Sequence, residues 1–424
     1  MSKTFRAWDV DQGWLLPPSV HELVPPNHLS HFVRETVRQD LDLSAILETY
    51  QEERGYPPYH PVMMTALLLY SYTQGVFSSR RISRGCEERV DFMAVTALQK
   101  PDFRTVNEFR RRHLAALGEL FVQVLKLCRR AGLVKLGHVA LDGTKIKANA
   151  SKHKAMSYAR MQKSEKELVE LVAGWLERAQ AEDEAEDEEF GKDRRGDELP
   201  DWVKDKQERL KRIRAAKQAL EEEARVGGGG DAEREPAPKS QRNFTDPDSR
   251  IMKTKDGFEQ AYNCQAAVDQ EHQIIVAVTT TQTQNDNAEL LKLLDGIKAN
   301  TGRQAREISA DSGYCSEENL ANLNRRRIRG YVATGRQRHG TNAAIERSRK
   351  KLGPHVTRMR ERLSRGGWSS RYRLRKQTVE PVFGQIKEAL GFRRFLLRGI
   401  EKVRAEWHLV CAAFDLRKLA AASG

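Results

Sequence analysis

At 424 residues the chain is long enough for two or three domains and at least one sizeable core. Its formal charge of +14 and pI near 9.5 favour a polyanionic partner, although a basic surface can also serve solubility alone. No apolar run reaches the roughly 18 residues of a spanning helix, and the N-terminus lacks a signal-peptide pattern. The five cysteines are scattered with no C-x-x-C, so neither a disulfide framework nor a zinc knuckle is indicated and a reducing cytoplasm is expected. Residues 321–424 hold 26 Lys and Arg against 7 Asp and Glu, a net of +19, which leaves about −5 on the 320 residues before them.

The first 130 residues read as helical. Pro25-Pro26 marks the entry to a helix through Val33 and Val37, and His60-Pro61 opens an apolar helix over 62–72. Pro101-Asp102-Phe103 precedes a helix with Phe109, Phe121 and Leu125 on one face at a period near 3.6. Its run Arg110-Arg111-Arg112 could face phosphates or simply solvent. His21, His28 and His31 come nearest to a histidine cluster, but lack metal-ligand spacing.

A strand is expected over 134–142, then a hairpin pair over 258–268 and 273–281 turning at Asp269-Gln270-Glu271-His272. A helix fits 287–298, a strand ends at Asp311, and a helix over 316–324 leads to a strand at 330–334. The order describes an α/β core, a mixed sheet flanked by helices.

Residues 152–250 interrupt that core with a different composition. Leu168, Leu171, Val172, Trp175 and Leu176 mark one charged helix, and Val203, Leu210, Ile213 and Leu220 a second, with an acidic run at 182–189 between them. Four glycines at 227–230 and Pro236-Ala237-Pro238 then break regular structure. No Gly-Lys-Ser/Thr follows the glycines, so they are a flexible return to the sheet and not a phosphate loop. The segment reads as a protruding helical hairpin.

Three acidic residues stand where metal-assisted phosphate chemistry needs them. Asp142 ends the apolar stretch Val139-Ala140-Leu141, with Gly143 as a tight exit and Lys145, Lys147 and Asn149 in reach of phosphate oxygens. Asp311 ends Ile308-Ser309-Ala310 and leads into a helix that Ser316 can cap. Each alone is equally an ordinary turn acid. Glu380 shares a helical face with Tyr372, Lys376 and Lys387, at offsets of four, four and seven. Pro381 leaves two possibilities open: one kinked helix carrying all four, or a helix beginning at Thr378. Carboxylates of this kind, converging from distant positions, hold Mg²⁺ or Mn²⁺ beside phosphate.

These blocks resemble the bacterial insertion-sequence transposases of the DDE class. Leu141-Asp142-Gly143-Thr144-Lys145-Ile146-Lys147-Ala148-Asn149-Ala150-Ser151 is similar to that class's first catalytic block, and Ala310-Asp311-Ser312-Gly313-Tyr314 to its second. Tyr372, Lys376, Glu380 and Lys387 resemble its Tyr-Arg-Glu-Lys signature, with Lys376 where arginine is usual. His60-Pro61, Pro101-Asp102-Phe103, the segment Asn243-Phe244-Thr245-Asp246-Pro247-Asp248-Ser249-Arg250, Gly391-Phe392-Arg393-Arg394-Phe395, Arg398-Gly399 and Glu406-Trp407-His408-Leu409 resemble the IS-eleven-eighty-two type, related to the IS-five superfamily.

The resemblance implies an RNase H-like core over 133–151 and 251–400, a helical DNA-end-binding domain over 1–132, the insertion at 152–250 and a C-terminal helix over 401–424. It also implies metal-dependent strand cleavage at the element's terminal inverted repeats and strand transfer to target DNA. Asp142, Asp311 and Glu380 would hold a pair of Mg²⁺ or Mn²⁺ ions, with Tyr372, Lys376, Lys387, Lys145 and Lys147 on DNA. The expected partners are double-stranded DNA and a second copy of the chain bound to it, in the cytoplasm at the nucleoid and away from membranes. The alternative is an inactive or repurposed DNA-binding relative.

Overall fold

The structure, a computed structural model, describes residues 19, 22, 24–50, 57–151, 154–190, 201–227, 235–254, 257–335 and 352–423. The N-terminal part is helical: α1 (Leu29–Gln39), α2 (Ser44–Leu47), α3 (Pro61–Thr73), α4 (Ser79–Glu88), α5 (Val90–Thr96), α6 (Phe103–Arg112) and α7 (Leu114–Arg130). The starts follow capping chemistry. His28 and His60 accept from Ser30 N and Val62 N at 3.2 Å, Pro61 occupies the first turn of α3, and Asp102 accepts from Thr105 N at 2.7 Å. The single helix expected through Phe109 and Phe121 is two. His113, 3.1 Å from the Tyr50 hydroxyl, leaves helical backbone angles and separates α6 from α7. The arginine run divides as well. Arg110 is buried and donates to Phe77 O at 2.9 Å, Arg111 pairs with Glu108, and Arg112 donates to Thr49 O.

The sheet follows: β1 (His138–Lys147), β4 (Arg250–Thr254), β5 (Gly257–Asp269), β6 (Ile275–Thr281), β7 (Glu307–Ala310) and β8 (Arg329–Val332). Among the described residues its order is β4-β5-β1-β7-β8, with β6 also paired to β5. β5 runs antiparallel to β1, β4 and β6, whereas β1, β7 and β8 are parallel; α10 (Glu289–Thr301) leads from β6 into β7, and α11 (Glu317–Arg325) makes the crossover from β7 to β8. The sheet is mixed and open, with helices on its flanks, as in an RNase H-like fold. Helices α12 (Pro354–Gly366), α13 (Leu374–Gly384) and α14 (Ile400–Ser423) complete it.

A further expectation is corrected. Asp142 lies inside a strand, not at its end, because β1 continues to Lys147 with Ile146 fully buried. Asp142-Gly143 does not turn. Gly143 stands opposite Gln265 in the ladder, where a Cβ would run into the Gln265 amide, so the glycine serves close cross-strand packing.

The insertion is a helical hairpin of α8 (Tyr158–Phe190) and α9 (Asp201–Gly227) on a two-stranded base, β2 (Ala155–Ser157) with β3 (Gln241–Asn243). It has its own small core of Met156, Tyr158, Met161, Leu168, Ile213, Ala216 and Leu220. Glu165 on α8 receives Arg214 at 2.9 Å and Lys217 at 3.0 Å from α9. Leu171 is exposed, so the apolar stripe of α8 is narrower than its sequence suggests. His21 and glycines 228–230 lie outside the described residues, and Gly227 closes α9.

The main core runs without a break from α1 and α3 through the sheet to α14. α14 packs on α7, α3 and β6, and buried Asp415 accepts from Ile275 N at 2.9 Å. No helix among the described residues is long and apolar enough to cross a membrane. The return from the hairpin clamps the start of α14. Asp246 accepts from Tyr262 Oη at 2.8 Å and Gly399 N at 3.1 Å, and Asp248 accepts from Ile400 N at 2.9 Å, where the helix N-terminus favours an anion. Asp246→Ala strands the buried Tyr262 hydroxyl and the half-buried Gly399 N–H and is expected to cost about 2–4 kcal/mol, against under about 1 kcal/mol for Asp246→Asn. Urea unfolding measures both, and equal losses would contradict the clamp.

Candidate active site

Strand register builds the centre. β1 and β7 run parallel and pair Val139 with Ile308, Ala140 with Ser309 and Leu141 with Ala310. The next residues are Asp142 and Asp311, so the two carboxylates leave neighbouring strands side by side, with the strands about 4.8 Å apart. Asp142 accepts from Gly143 N at 2.9 Å through Oδ1. Asp311 begins a 3₁₀ turn (Ser312–Tyr314) and accepts from Gly313 N at 2.8 Å.

Glu380 comes from α13, which packs over β1, β5 and β7. Of the two possibilities left open by the sequence, the helix starts at Leu374 with Pro381 inside it, while Tyr372 lies on a preceding 3₁₀ turn (Arg371–Arg373). Proline supplies no N–H to the carbonyl four residues back, and that carbonyl, Gln377 O, receives Gln273 Nε2 at 3.1 Å instead. The helix then widens into a π turn over Gln385–Ala389, which carries Lys387 to within 2.9 Å of Lys145 O. Upstream, Arg371 forms an ion pair with Glu307 at the foot of β7 at 2.9 Å, tethering the leader of α13 to the strand that presents Asp311.

Arg375 lies between the carboxylates. Its Nη1 donates to Asp142 Oδ2 at 2.5 Å and its Nη2 to Glu380 Oε1 at 3.0 Å, with its side chain only 12% exposed. The expected arginine position was 376, counted four back from Glu380. Lys376 is instead exposed, and the adjacent Arg375 enters the site. Tyr372 is half-buried against it. Burial raises the phenol's pKa and the Arg375 guanidinium opposes that shift. Lys145 reaches Gln284 O at 3.3 Å and Asp286 at 3.6 Å, whereas Lys147 lies 3.5 Å from Glu259, further along β1.

Sequence reasoning also missed a polar chain behind the carboxylates. Tyr314 Oη donates to Gln265 Oε1, and Gln265 Nε2 donates to Asn263 Oδ1 at 2.9 Å and Asp286 Oδ1 at 2.7 Å. Asn263 Nδ2 also donates to Asp286 Oδ1, at 2.6 Å. The chain links the residue opposite Gly143 to the turn behind Asp311. Asp286 lies in the loop Gln284-Asn285-Asp286-Asn287, at no strand end, so only its neighbours' amides could have signalled it.

The electrostatics are those of crowded negative charge. Burial pushes the Asp142 carboxyl up to about 6; Arg375 opposes this, while Asp311 and Glu380 add to it. Asp311 is raised by burial and by Asp286, against the Gly313 amide, Arg375 and Lys145. Among the described residues no three acidic, histidine or cysteine side chains stand close enough to hold a metal as they are. The donor set nevertheless fits a hard divalent cation. The ligands are carboxylate oxygens that feel one another's charge, and a guanidinium stands in as the cation between two of them.

A family model described as Transposase DDE domain matches residues 231–416, and one described as Transposase domain (DUF772) matches residues 18–112. The chain thus carries a DDE-type transposase domain and, ahead of it, an N-terminal transposase domain. The DDE match includes Asp311, Arg375, Glu380 and Lys387 and begins beyond Asp142, which joins them through the β1–β7 register. No curated protein and no solved structure matches the chain.

Between the ordinary 3.8 and about 6, the folded protein keeps a proton on Asp142 that the unfolded chain has released, so metal-free stability falls as pH rises through that window. Asp142→Asn cannot ionise and is expected to exceed metal-free wild type by about 1–3 kcal/mol near pH 7.5, with no advantage near pH 4. Urea melts at the two pH values check this, and an Asn variant less stable than wild type near pH 7.5 would contradict it.

Proposed function

We infer that this protein is the transposase of a bacterial insertion sequence, of the IS-eleven-eighty-two type, cutting DNA at the element's terminal inverted repeats and joining the ends to target DNA. The observation that carries the reading is the β1–β7 register, which sets Asp142 beside Asp311, while Arg375 links Asp142 to Glu380 on α13. Asp142, Asp311 and Glu380 would hold Mg²⁺ or Mn²⁺. Ions bound there lower the pKa of water and offset the charge of the leaving oxygen.

The protein's own residues do the rest. The strands fix two carboxylates at a constant separation, which limits reorganisation during the reaction. Lys387 and Lys145 present ammonium groups beside the centre, and Tyr372, on the turn before α13, and Lys376, in its first turn, lie where a scissile strand would run. Lys147 and the Arg393-Arg394 segment, hydrogen-bonded to it through the backbone, extend the positive track along β1. The N-terminal helices would hold the repeat: exposed Phe103 lies under the guanidinium groups of Arg80 and Arg104, with Arg81 and Arg84 nearby on α4. Arginines around an aromatic suit phosphate and base contacts. Two ends must be cut together, so the active form is a dimer on DNA.

The test is incubation of the full chain with DNA carrying the inverted repeats that flank its gene. Mg²⁺-dependent nicking and joining are expected. Asp142→Asn, Asp311→Asn and Glu380→Gln are each expected to lower both by roughly 10³-fold or more, with thermal melts still showing a folded protein. Any one of these variants nicking at the wild-type rate would refute the assignment. Binding without nicking by the wild type would leave a DNA-binding relative that has lost its chemistry.

A further inference from the structure

We propose that Arg375 is the resident counter-cation of the carboxylate centre and must leave Asp142 before a divalent ion can seat there. The inference rests on the metal-dependent reading above. Arginine commonly clasps one carboxylate with both ends of its fork. Arg375 divides its fork, giving one nitrogen to Asp142 and the other to Glu380, and so occupies the space an ion shared by those two residues needs. Its Nε is buried with no hydrogen-bond partner among the described residues, so the docked guanidinium is not fully satisfied. A guanidinium and a divalent ion between the same two carboxylates would repel strongly at this burial.

The side chain has somewhere to go. Arg375 is the second residue of α13, and Glu380, which holds its outer nitrogen, is 48% exposed. Torsion about its own bonds carries the guanidinium outward while the tether from Arg371 to Glu307 keeps the helix start in place. A DNA phosphate offers the released fork an equivalent pair of oxygens. Phosphate therefore compensates Arg375 for the loss of Asp142 and Glu380. DNA binding and metal loading then favour each other by the same factor, as linkage requires. The device keeps the cutting centre unloaded away from DNA.

The discriminating variant is Arg375→Lys, which keeps the charge and loses the bridge. Isothermal titration with Mn²⁺ alone, on the full chain without DNA, compares wild type, Arg375→Lys and Arg375→Gln, each with and without Asp142→Asn. Mn²⁺ is expected to bind roughly threefold more tightly to the Lys variant and about tenfold more tightly to the Gln variant. Asp142→Asn should erase both gains. Lys and Gln variants at or below wild-type affinity, with Asp142→Asn still weakening Mn²⁺ binding, would overturn the proposal and leave the metal centre standing. A gain by Gln alone would also overturn it, since net charge and not the bridge would then set the affinity. Mn²⁺ binding indifferent to Asp142→Asn in every background would remove the metal centre itself. Thermal melts establish that each variant is folded, and the Lys variant alone decides the outcome if the Gln variant does not fold.

Discussion

Parallel pairing of β1 with β7 is the constraint from which the centre follows. The ladder ends at Leu141 and Ala310, so the first residues beyond it are two aspartates separated by 169 positions in the chain and by one strand spacing in space. A one-residue slip would send one carboxylate to the opposite face. The run Val139-Ala140-Leu141 and its partner Ile308-Ser309-Ala310 are fully buried, so the packing around them opposes such a slip. From the other side, the antiparallel partner β5 contributes Gln265, whose amide touches Gly143 and receives the Tyr314 hydroxyl from the turn behind Asp311. The two carboxylates are thus held by backbone pairing in front and by side-chain hydrogen bonds behind.

The third acid depends on a less regular element. α13 tolerates Pro381 because Gln273 satisfies the carbonyl the proline leaves open, and it turns into a π segment where Lys387 needs to point back at β1. Irregularity of this kind costs stability and persists where surrounding packing over-determines it. Here Val379, Val382 and Ile386 are fully buried beneath the polar edge that carries Arg375 and Glu380. α14 ties the same core to the N-terminal helices through α7 and α3, so the helices proposed to hold DNA and the sheet proposed to cut it share one continuous apolar interior.

Much of this was legible in the amino-acid order, and what was not has physical causes. Apolar runs ending in an acid located β1 and β7, and the paired segments 258–268 and 273–281 around Asp269-Gln270-Glu271-His272 marked the hairpin of β5 and β6 with its turn. The charged composition of 152–250 marked the hairpin that carries a separate small core. Asp142 was read as a strand end with Gly143 as its exit because the dipeptide's local preference was outweighed by cross-strand packing that only the partner strand reveals. Arg375 was missed because counting four residues back from Glu380 assumes an even helix, whereas this one begins at Leu374 and a long side chain reaches across five residues. Asp286, Asn263 and Gln265 left no periodic signal. Their roles come from tertiary hydrogen bonds between segments about 20 residues apart.

The central claim is that Asp142, Asp311 and Glu380 share divalent cations. Crystals of the full chain with Mn²⁺ and DNA, read by anomalous scattering, test it most directly. The account predicts manganese within about 2.2 Å of carboxylate oxygens from Asp142 and Asp311, with Glu380 on the same centre and Arg375 turned to phosphate. Manganese bound elsewhere, with Arg375 still bridging Asp142 and Glu380, would contradict it.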